Sequence, residues 1–315
     1  MDLLILSQNE VQELLDLDEL LHALAEGFMA LSEGKVLAPS RNQLSIPDAG
    51  FLLGMPAWQP GSNITVKLVS VFHGNQQLGL PGHQALMCVF DPATGTPLAV
   101  MDGTYITAAR TAASAALSAR LLAREDARVL TIIGAGVQGQ SHLKMFPRVR
   151  NFDEIRVASL YLTDAQRLAA TNSKARAFES YQEAVRGADV VCLCTTSGSP
   201  VIGLDWLSPG THVTSVGYSP PGGELPREVI NHGRLVVETR RAFEPPPTGC
   251  GELEGLDPAI GTELGEILSG KHPGRQSDLE ITVYKSMGHA MEDLVAANLV
   301  YRRARQQGVG LVGGL

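Results

Sequence analysis

The chain has 315 residues, 44% of them hydrophobic and 18% charged, an ordinary globular mixture long enough that two domains are the natural expectation. Its net charge of −8 argues against nucleic acid or an anionic membrane surface as a partner, and no apolar run approaches the roughly 20 residues that span a bilayer. The N-terminus carries acids rather than the basic segment of a secretory leader. Cys88, Cys192, Cys194 and Cys250 lack metal-ligand spacing, so a reduced, cytoplasmic protein is expected.

Ser7 and Glu10 are spaced as a capping box. Leu14, Leu17, Leu20, Leu21, Leu24, Phe28 and Leu31 then recur at helical intervals up to Gly34, which predicts one helix with Glu10, Glu13, Asp16 and Asp18 on its solvent face. Residues 64–72 (ITVKLVSVF), 85–90 and 97–101 predict strands, with a turn at Asp91–Gly95 before the last. A helix rich in alanine, serine and threonine runs from Thr107 to Ala123.

Three cations in this first part stand in unusual places. Lys67 lies inside a strand, on the face shared with Thr65, Val69 and Val71. Arg110 falls in the first turn of the alanine-rich helix, where a cation opposes the dipole. Arg41 lies in an irregular stretch between Pro39 and Pro47. An edge-strand guard, a solvent-facing charge and a loop charge would explain them singly. Together they suggest a cationic pocket for a carboxylate. His83, in PGHQA between two strands, is a candidate general acid, while His142 and His289 read as structural. No zinc constellation is legible.

From residue 129 the pattern alternates strictly. Strands at about 129–133, 155–159, 189–194, 212–216 and 234–238, with 279–285 as a further candidate, describe a doubly wound parallel sheet of Rossmann type. The stretch VLTIIGAGVQGQSH (129–142) is a dinucleotide fingerprint in context: a buried strand, a turn at Gly134, Gly136 and Gly139, then a helix. The first glycine permits the turn, the second lets a pyrophosphate approach, and the third packs helix on strand. The helix N-terminus offers unpaired N–H groups to the anion. The strand after it should end in Asp or Glu to hold the ribose of NAD. Ser159 and Leu160 stand there instead, and Asp164 reads as the cap of the next helix. No arginine follows immediately, so the cofactor expectation is NADP or NAD, leaning to NADP. The proline-rich segment 243–251 reads as a rigid surface turn. A last helix, from about Gly288 to Gln307, is expected to return to the first domain. The resulting division is a smaller α+β substrate domain of 1–119 with 289–315, and a dinucleotide-binding domain of 120–288.

The segments GMPAW (54–58), GLPGHQALMCVFDPATGTPLAVMDGTYITAARTAA (79–113), GAGVQGQSH, THVTSVGYSPPGGEL (211–225) and TVYKSMGHAMEDLVAA (282–297) resemble, in the same order, the ornithine cyclodeaminase/mu-crystallin family. The resemblance implies a homodimer joined through the first domain and a nicotinamide dinucleotide on the second. It implies that Arg41, Lys67 and Arg110 hold the substrate carboxylate, with Ser219 and Met287 also at the substrate. It places Gly82, Arg110, Thr111, Val137, Gln138, Ser159, Thr195, Thr196, Val216 and Ser286 against the dinucleotide. One departure bears on chemistry. Where deaminating members carry a pattern like G-x-D-x-P-G-K, this chain has Gly217-Tyr-Ser219-Pro-Pro-Gly-Gly223, without the aspartate or the lysine. Removing ammonia needs a group that positions an amine or water and handles its proton, and serine is a poor base. The expected activity is therefore NAD(P)H-dependent reduction of a cyclic imino acid of the pyrroline- or piperideine-2-carboxylate type. The alternatives are ornithine cyclodeaminase, a small L-amino-acid dehydrogenase and a non-catalytic, nucleotide-dependent binding protein.

Overall fold

The computed structural model describes residues 2–314. Strand β1 (Asp2–Leu6) leads into α1 (Gln8–Leu14), where the Ser7–Glu10 capping box is formed. The single helix expected up to Gly34 is broken: the Asp16 side chain accepts from the N–H groups of Asp18 and Glu19 and starts a second helix, α2 (Leu17–Ser32). Asp bonds nearby backbone in a non-helical conformation, so here it caps a helix instead of decorating one.

The chain continues as β2 (Asn42–Ile46), β3 (Gly50–Ala57), β4 (Ile64–Phe72), β5 (His83–Phe90), β6 (Pro97–Asp102) and α3 (Thr104–Leu122). Next come β7 (Val129–Ile133), α4 (Val137–Met145), β8 (Glu154–Ala158), α5 (Leu162–Ala169), β9 (Ala175–Phe178), α6 (Tyr181–Val185) and β10 (Val190–Leu193). The remainder is β11 (His212–Ser215), α7 (Arg227–His232), β12 (Arg234–Val237), β13 (Thr262–Glu263), α8 (Leu264–Leu268), β14 (Thr282–Lys285), α9 (Ala290–Gln307) and β15 (Leu311–Gly314). Among the described residues no helix is long and apolar enough to cross a membrane.

Two compact units result, Met1–Arg110 with His289–Leu315, and Thr111–Gly288. The boundary therefore falls inside α3 and not at 119/120. The start of α3 is fastened to the first unit, where Thr104 accepts from the Ala85 N–H and Arg110 pairs with Glu292. Its end is fastened to the second, where the Leu122 carbonyl accepts from Arg275 and Thr282, and Ser118 meets His212.

The first unit is a seven-stranded mixed sheet in the order β15-β1-β6-β5-β4-β3-β2. Alternation gives it two faces. One is buried: Leu53, Met55, Ala57, Val69 and Ala85 form a core with Ala290 and Leu294 of α9. Helix α2 packs on α9 at Gly27, where a Cβ would stand 2.4 Å from the Met291 sulfur. The other face carries Ile5, Leu44, Ile46, Leu52, Leu68 and Leu86, each at least 38% exposed.

The second unit is an eight-stranded sheet in the order β13-β12-β14-β11-β10-β7-β8-β9, parallel at every pairing. Strands such as β10 are buried at every position, as a sheet covered on both faces requires. The order reverses beside β7: β8 and β9 extend to one side, β10 and β11 to the other. This is the doubly wound Rossmann arrangement, a fold in which ligands as a rule bind beyond the carboxyl ends of the strands at such a reversal.

Candidate functional site

Lys67 stands mid-strand in β4, between β3 and β5, and so is no edge guard. Its ladder partners are Met55 on one side and Met87 on the other, with Met101 beyond. Paired residues share a face, so the ammonium rises from a row of methionines and is 2% exposed. Burial pushes its pKa down to about 8; the Asp293 carboxylate opposes the fall, and Arg110 and Arg41 add to it. Asp293 Oδ2 lies 2.6 Å from Lys67 Nζ. The other oxygen of that carboxylate lies 3.1 Å from Arg110 Nε, and Arg110 Nη1 donates to Glu292 Oε2 at 2.7 Å. Because α3 begins at Thr104, Arg110 is in its second turn and buried, not in a solvent-facing first turn.

Both acids belong to the first turn of α9, where His289 is the cap and Glu292 closes a capping box. Carboxylates are favoured at that end of the dipole. Neither acid was singled out in the sequence, although they are the only charges between Gly288 and Val300, a helix too apolar to offer them a solvent face. Arg41 precedes Asn42, the partner of Gly54. Continuing the ladder sets it opposite Met55, in the row of Lys67 and about 10 Å from it. His83 pairs with Val71 on the same face, four residues and about 13 Å along the strand from Lys67. The structure thus joins Arg110 directly and Arg41 by register to Lys67, and leaves exposed His83 apart. Gly82 also belongs to this unit, where its carbonyl accepts from the Phe72 N–H.

In the second unit the three fingerprint glycines have separate reasons. Gly134 has φ +107°, a region that favours glycine, and a Cβ on it would stand 2.5 Å from the Cys194 carbonyl oxygen. A Cβ on Gly139 would stand 2.0 Å from the Gly134 oxygen, whereas one on Gly136 would meet nothing within 4 Å. The chain's own backbone demands the first and third glycines. The second leaves open space at the N-terminus of α4, before Val137 and Gln138, and fits an approaching pyrophosphate. Contact between Gly134 and the end of β10 places this space at the sheet's reversal.

The neighbouring loops are held by carboxylates that the sequence did not mark. Buried Glu224 accepts from the Thr195 N–H (2.6 Å) and hydroxyl (2.7 Å), the Gly217 N–H (2.7 Å) and the Ser215 hydroxyl (3.0 Å). Glu238 accepts from the Ser286 hydroxyl and from the N–H groups of Met287 and Gly288. Lys285 Nζ donates to Glu252 (2.8 Å), the Gly217 carbonyl (2.7 Å) and Ser215 (3.1 Å). Burial alone would lower the Lys285 pKa, but Glu252 and Glu224 outweigh it and hold the amine above its ordinary range. The Thr195 and Ser286 hydroxyls, expected against the dinucleotide, thus donate to Glu224 and Glu238 and order their loops. Thr196 remains exposed, Val216 extends the β10–β11 ladder through a bond to the Leu193 carbonyl, and Thr111 is 6% exposed.

Ser159 follows the last residue of β8, and no acid occupies that end. Asp164 is not a cap. Only three residues separate β8 from α5, so Tyr161 takes the N-cap position and offers no side-chain bond, and Asp164 lies in the first turn, 2.8 Å from Arg167. His142 is buried, donates Nδ1–H to the Gln138 carbonyl and stacks on Phe146; burial lowers its pKa to about 4, which keeps it neutral. Ser219 lies in a tight turn bridged to Gly222. At Gly223 a Cβ would stand 2.0 Å from the Glu252 carboxylate. The space a side chain would need there is filled by the partner of Lys285.

The sequence pattern of the ornithine cyclodeaminase/mu-crystallin family matches residues 1–308. The chain is 40% identical to the ketimine reductase mu-crystallin of Mus musculus over 304 residues, covering 94% of this chain and 96% of that one. Among solved structures it is similar to the Thermococcus litoralis Δ1-pyrroline-2-carboxylate reductase in complex with NADH and L-proline, with TM-score 0.92, 34% identity and coverage of 98% and 99%. It is also similar to an archaeal alanine dehydrogenase dimer with bound NAD, with TM-score 0.90, 33% identity and full coverage of both chains (100% each).

Proposed function

Because the chain belongs to the ornithine cyclodeaminase/mu-crystallin family, we propose that it is an NAD(P)H-dependent reductase of cyclic imino acids, of the pyrroline-2-carboxylate or piperideine-2-carboxylate type. The observation that carries this reading is the loop from Gly217 to Gly223. Ser219 stands where the deaminating pattern has its aspartate, and Glu252 fills the room a lysine at 223 would need. The reductases among the similar proteins support it.

In this reading Lys67 and Arg110, with Arg41, hold the substrate carboxylate. The space over Gly136 and the N-terminus of α4 hold the pyrophosphate, while Glu224 and Glu238 keep the 195–196 and 286–288 loops in place. A bound nicotinamide nucleotide supplies the hydride. A protonated imine carries its own proton to the site, so no acid beside it is required, and His83 is not needed. With Ser159 and Leu160 at the end of β8, nothing acidic repels a 2′-phosphate, which favours NADP. The proposed setting is cytoplasmic and reducing, where four free cysteines stay thiols. The similarity to an alanine dehydrogenase supports a second reading, oxidation of a small L-amino acid, which uses the same carboxylate and nucleotide contacts.

Imine reduction is expected to outrun cyclisation of ornithine by orders of magnitude, with Ser219→Ala still active and Ser219→Asp gaining no efficient deamination. An ammonia-release assay on ornithine checks this, and a rate equal to imine reduction contradicts it.

The same reading includes a homodimer. The apolar outer face of the first sheet (Ile5, Leu44, Ile46, Leu52, Leu68, Leu86) is a surface that a second copy would cover. Light scattering should give twice the 33.5 kDa chain mass, and Leu44→Glu with Leu86→Glu should halve it. A wild-type monomer at micromolar concentration would refute the assembly.

A further inference from the structure

Lys67 and Arg110 are matched one for one by Asp293 and Glu292, and all four are at most 3% exposed. The buried charge of this cluster is therefore zero before anything binds: two positive groups against two negative ones. A carboxylate that enters alone leaves one extra buried negative charge, which a low-dielectric interior strongly disfavours. Arg41 offsets only part of it. It stands about 10 Å from Lys67 along the sheet and is partly exposed, where water and salt screen it. A cyclic imino acid protonated on nitrogen carries its iminium one atom from the carbon that bears the carboxylate, and adds no net charge.

Resting on the reductase reading, we infer that Asp293, together with Glu292, makes this buried charge cluster select the zwitterionic iminium form of the imino acid over a carboxylate anion. Asp293 is a positioning residue here. It acts through Lys67, whose ammonium it holds at 2.6 Å, and through the net charge it sets. The groups facing Lys67 are Asp293 from α9, Arg110 from α3 and Arg41 ahead of β2. Removing the Asp293 charge leaves the buried cluster with one uncompensated positive group. The same change follows from Glu292, through Arg110. The form selected is also the form that accepts hydride most readily at carbon, so the cluster would bind the reactive protonation state.

The test is titration calorimetry at neutral pH in saturating NADPH with two ligands of similar size. L-Proline is a zwitterion, and pyrrole-2-carboxylate is an anion whose ring nitrogen is not basic. In Asp293→Asn the affinity for pyrrole-2-carboxylate relative to proline should rise at least about tenfold over wild type, and Glu292→Gln should move the ratio the same way. A cooperative thermal melt above the assay temperature, together with wild-type NADPH affinity, reports that both units of each variant are folded. A ratio that does not move overturns the inference. So does equal loss of both ligands, the outcome if the acids merely hold the cations in shape, and so does a wild-type protein that binds neither. Should the ratio shift as expected while wild type fails to reduce any cyclic imine, the reductase reading falls and the charge selection stands.

Discussion

Lys67→Met and Arg110→Met should each cut kcat/KM for a cyclic imino acid by roughly ten- to more than a hundredfold, the value of one charge-assisted contact at about 1.5–3 kcal/mol. Both variants should also lose stability. Lys67→Met leaves Asp293 with Arg110 as its one remaining cation in the cluster, and Arg110→Met takes the cation from Glu292; breaking one side of a buried pair costs about 3–5 kcal/mol. Lys67→Met should leave nucleotide binding largely intact, because Lys67 belongs to the first unit and the fingerprint loop to the second. The pH profile carries the same signature. With the Lys67 pKa near 8, its ammonium is present below that pH and lost above it. Wild-type kcat/KM should therefore fall as pH rises through 8, and loss of the imine's own proton adds to the fall. In Lys67→Arg the enzyme's part of that fall should move to higher pH, since a guanidinium stays charged. Steady-state rates across pH check both statements, and unchanged kcat/KM in both methionine variants would make the cations bystanders.

Gly136→Ala and Gly139→Ala should separate nucleotide binding from folding. At Gly139 the added carbon meets the Gly134 carbonyl at 2.0 Å, where neither backbone segment gives way cheaply. The strand-to-helix turn must open, at a cost of about 1–3 kcal/mol or more, and both the melting temperature and nucleotide affinity should drop. At Gly136 the carbon enters open space, so the melting temperature should stay within a degree or two of wild type. Nucleotide affinity should nevertheless fall sharply, because that is the space proposed for the pyrophosphate. Thermal melts beside fluorescence titration with NADPH read both quantities. A Gly136→Ala protein that binds the nucleotide normally would move the phosphate site elsewhere.

The second unit was the more legible part of the chain. Its inner strands are buried on both faces and read as apolar runs between turns, and β7 spans Val129–Ile133 as the sequence predicts. Its edge strands were not legible: β13 has two residues and β9 has four, with none of its positions fully buried. In the first unit β2 is exposed at every position, so no alternation marks it, and β1 finds its place through a distant parallel pairing with β6. Hydrophobic spacing runs straight across Asp16 and hides the break between α1 and α2, because periodicity does not register a cap. The cations at 41, 67 and 110 could be found since charge stands out in an apolar strand or an alanine-rich helix. Glu224, Glu238 and Glu252 could not. They lie in loops or at a strand end, and most of the donors to Glu224 and Glu238 are backbone N–H groups or hydroxyls brought near by the fold.

In the proposed function the cation cluster and the nucleotide loop serve reduction of a carbon–nitrogen double bond. The direct measurement mixes the purified protein with NADPH and pyrroline-2-carboxylate and follows the absorbance of the reduced nicotinamide. Consumption of NADPH matched one for one by proline formed is expected, faster than any ammonia is released from ornithine under the same conditions. Ammonia release from ornithine with no imine-dependent loss of reduced nicotinamide, from either NADPH or NADH, would contradict it.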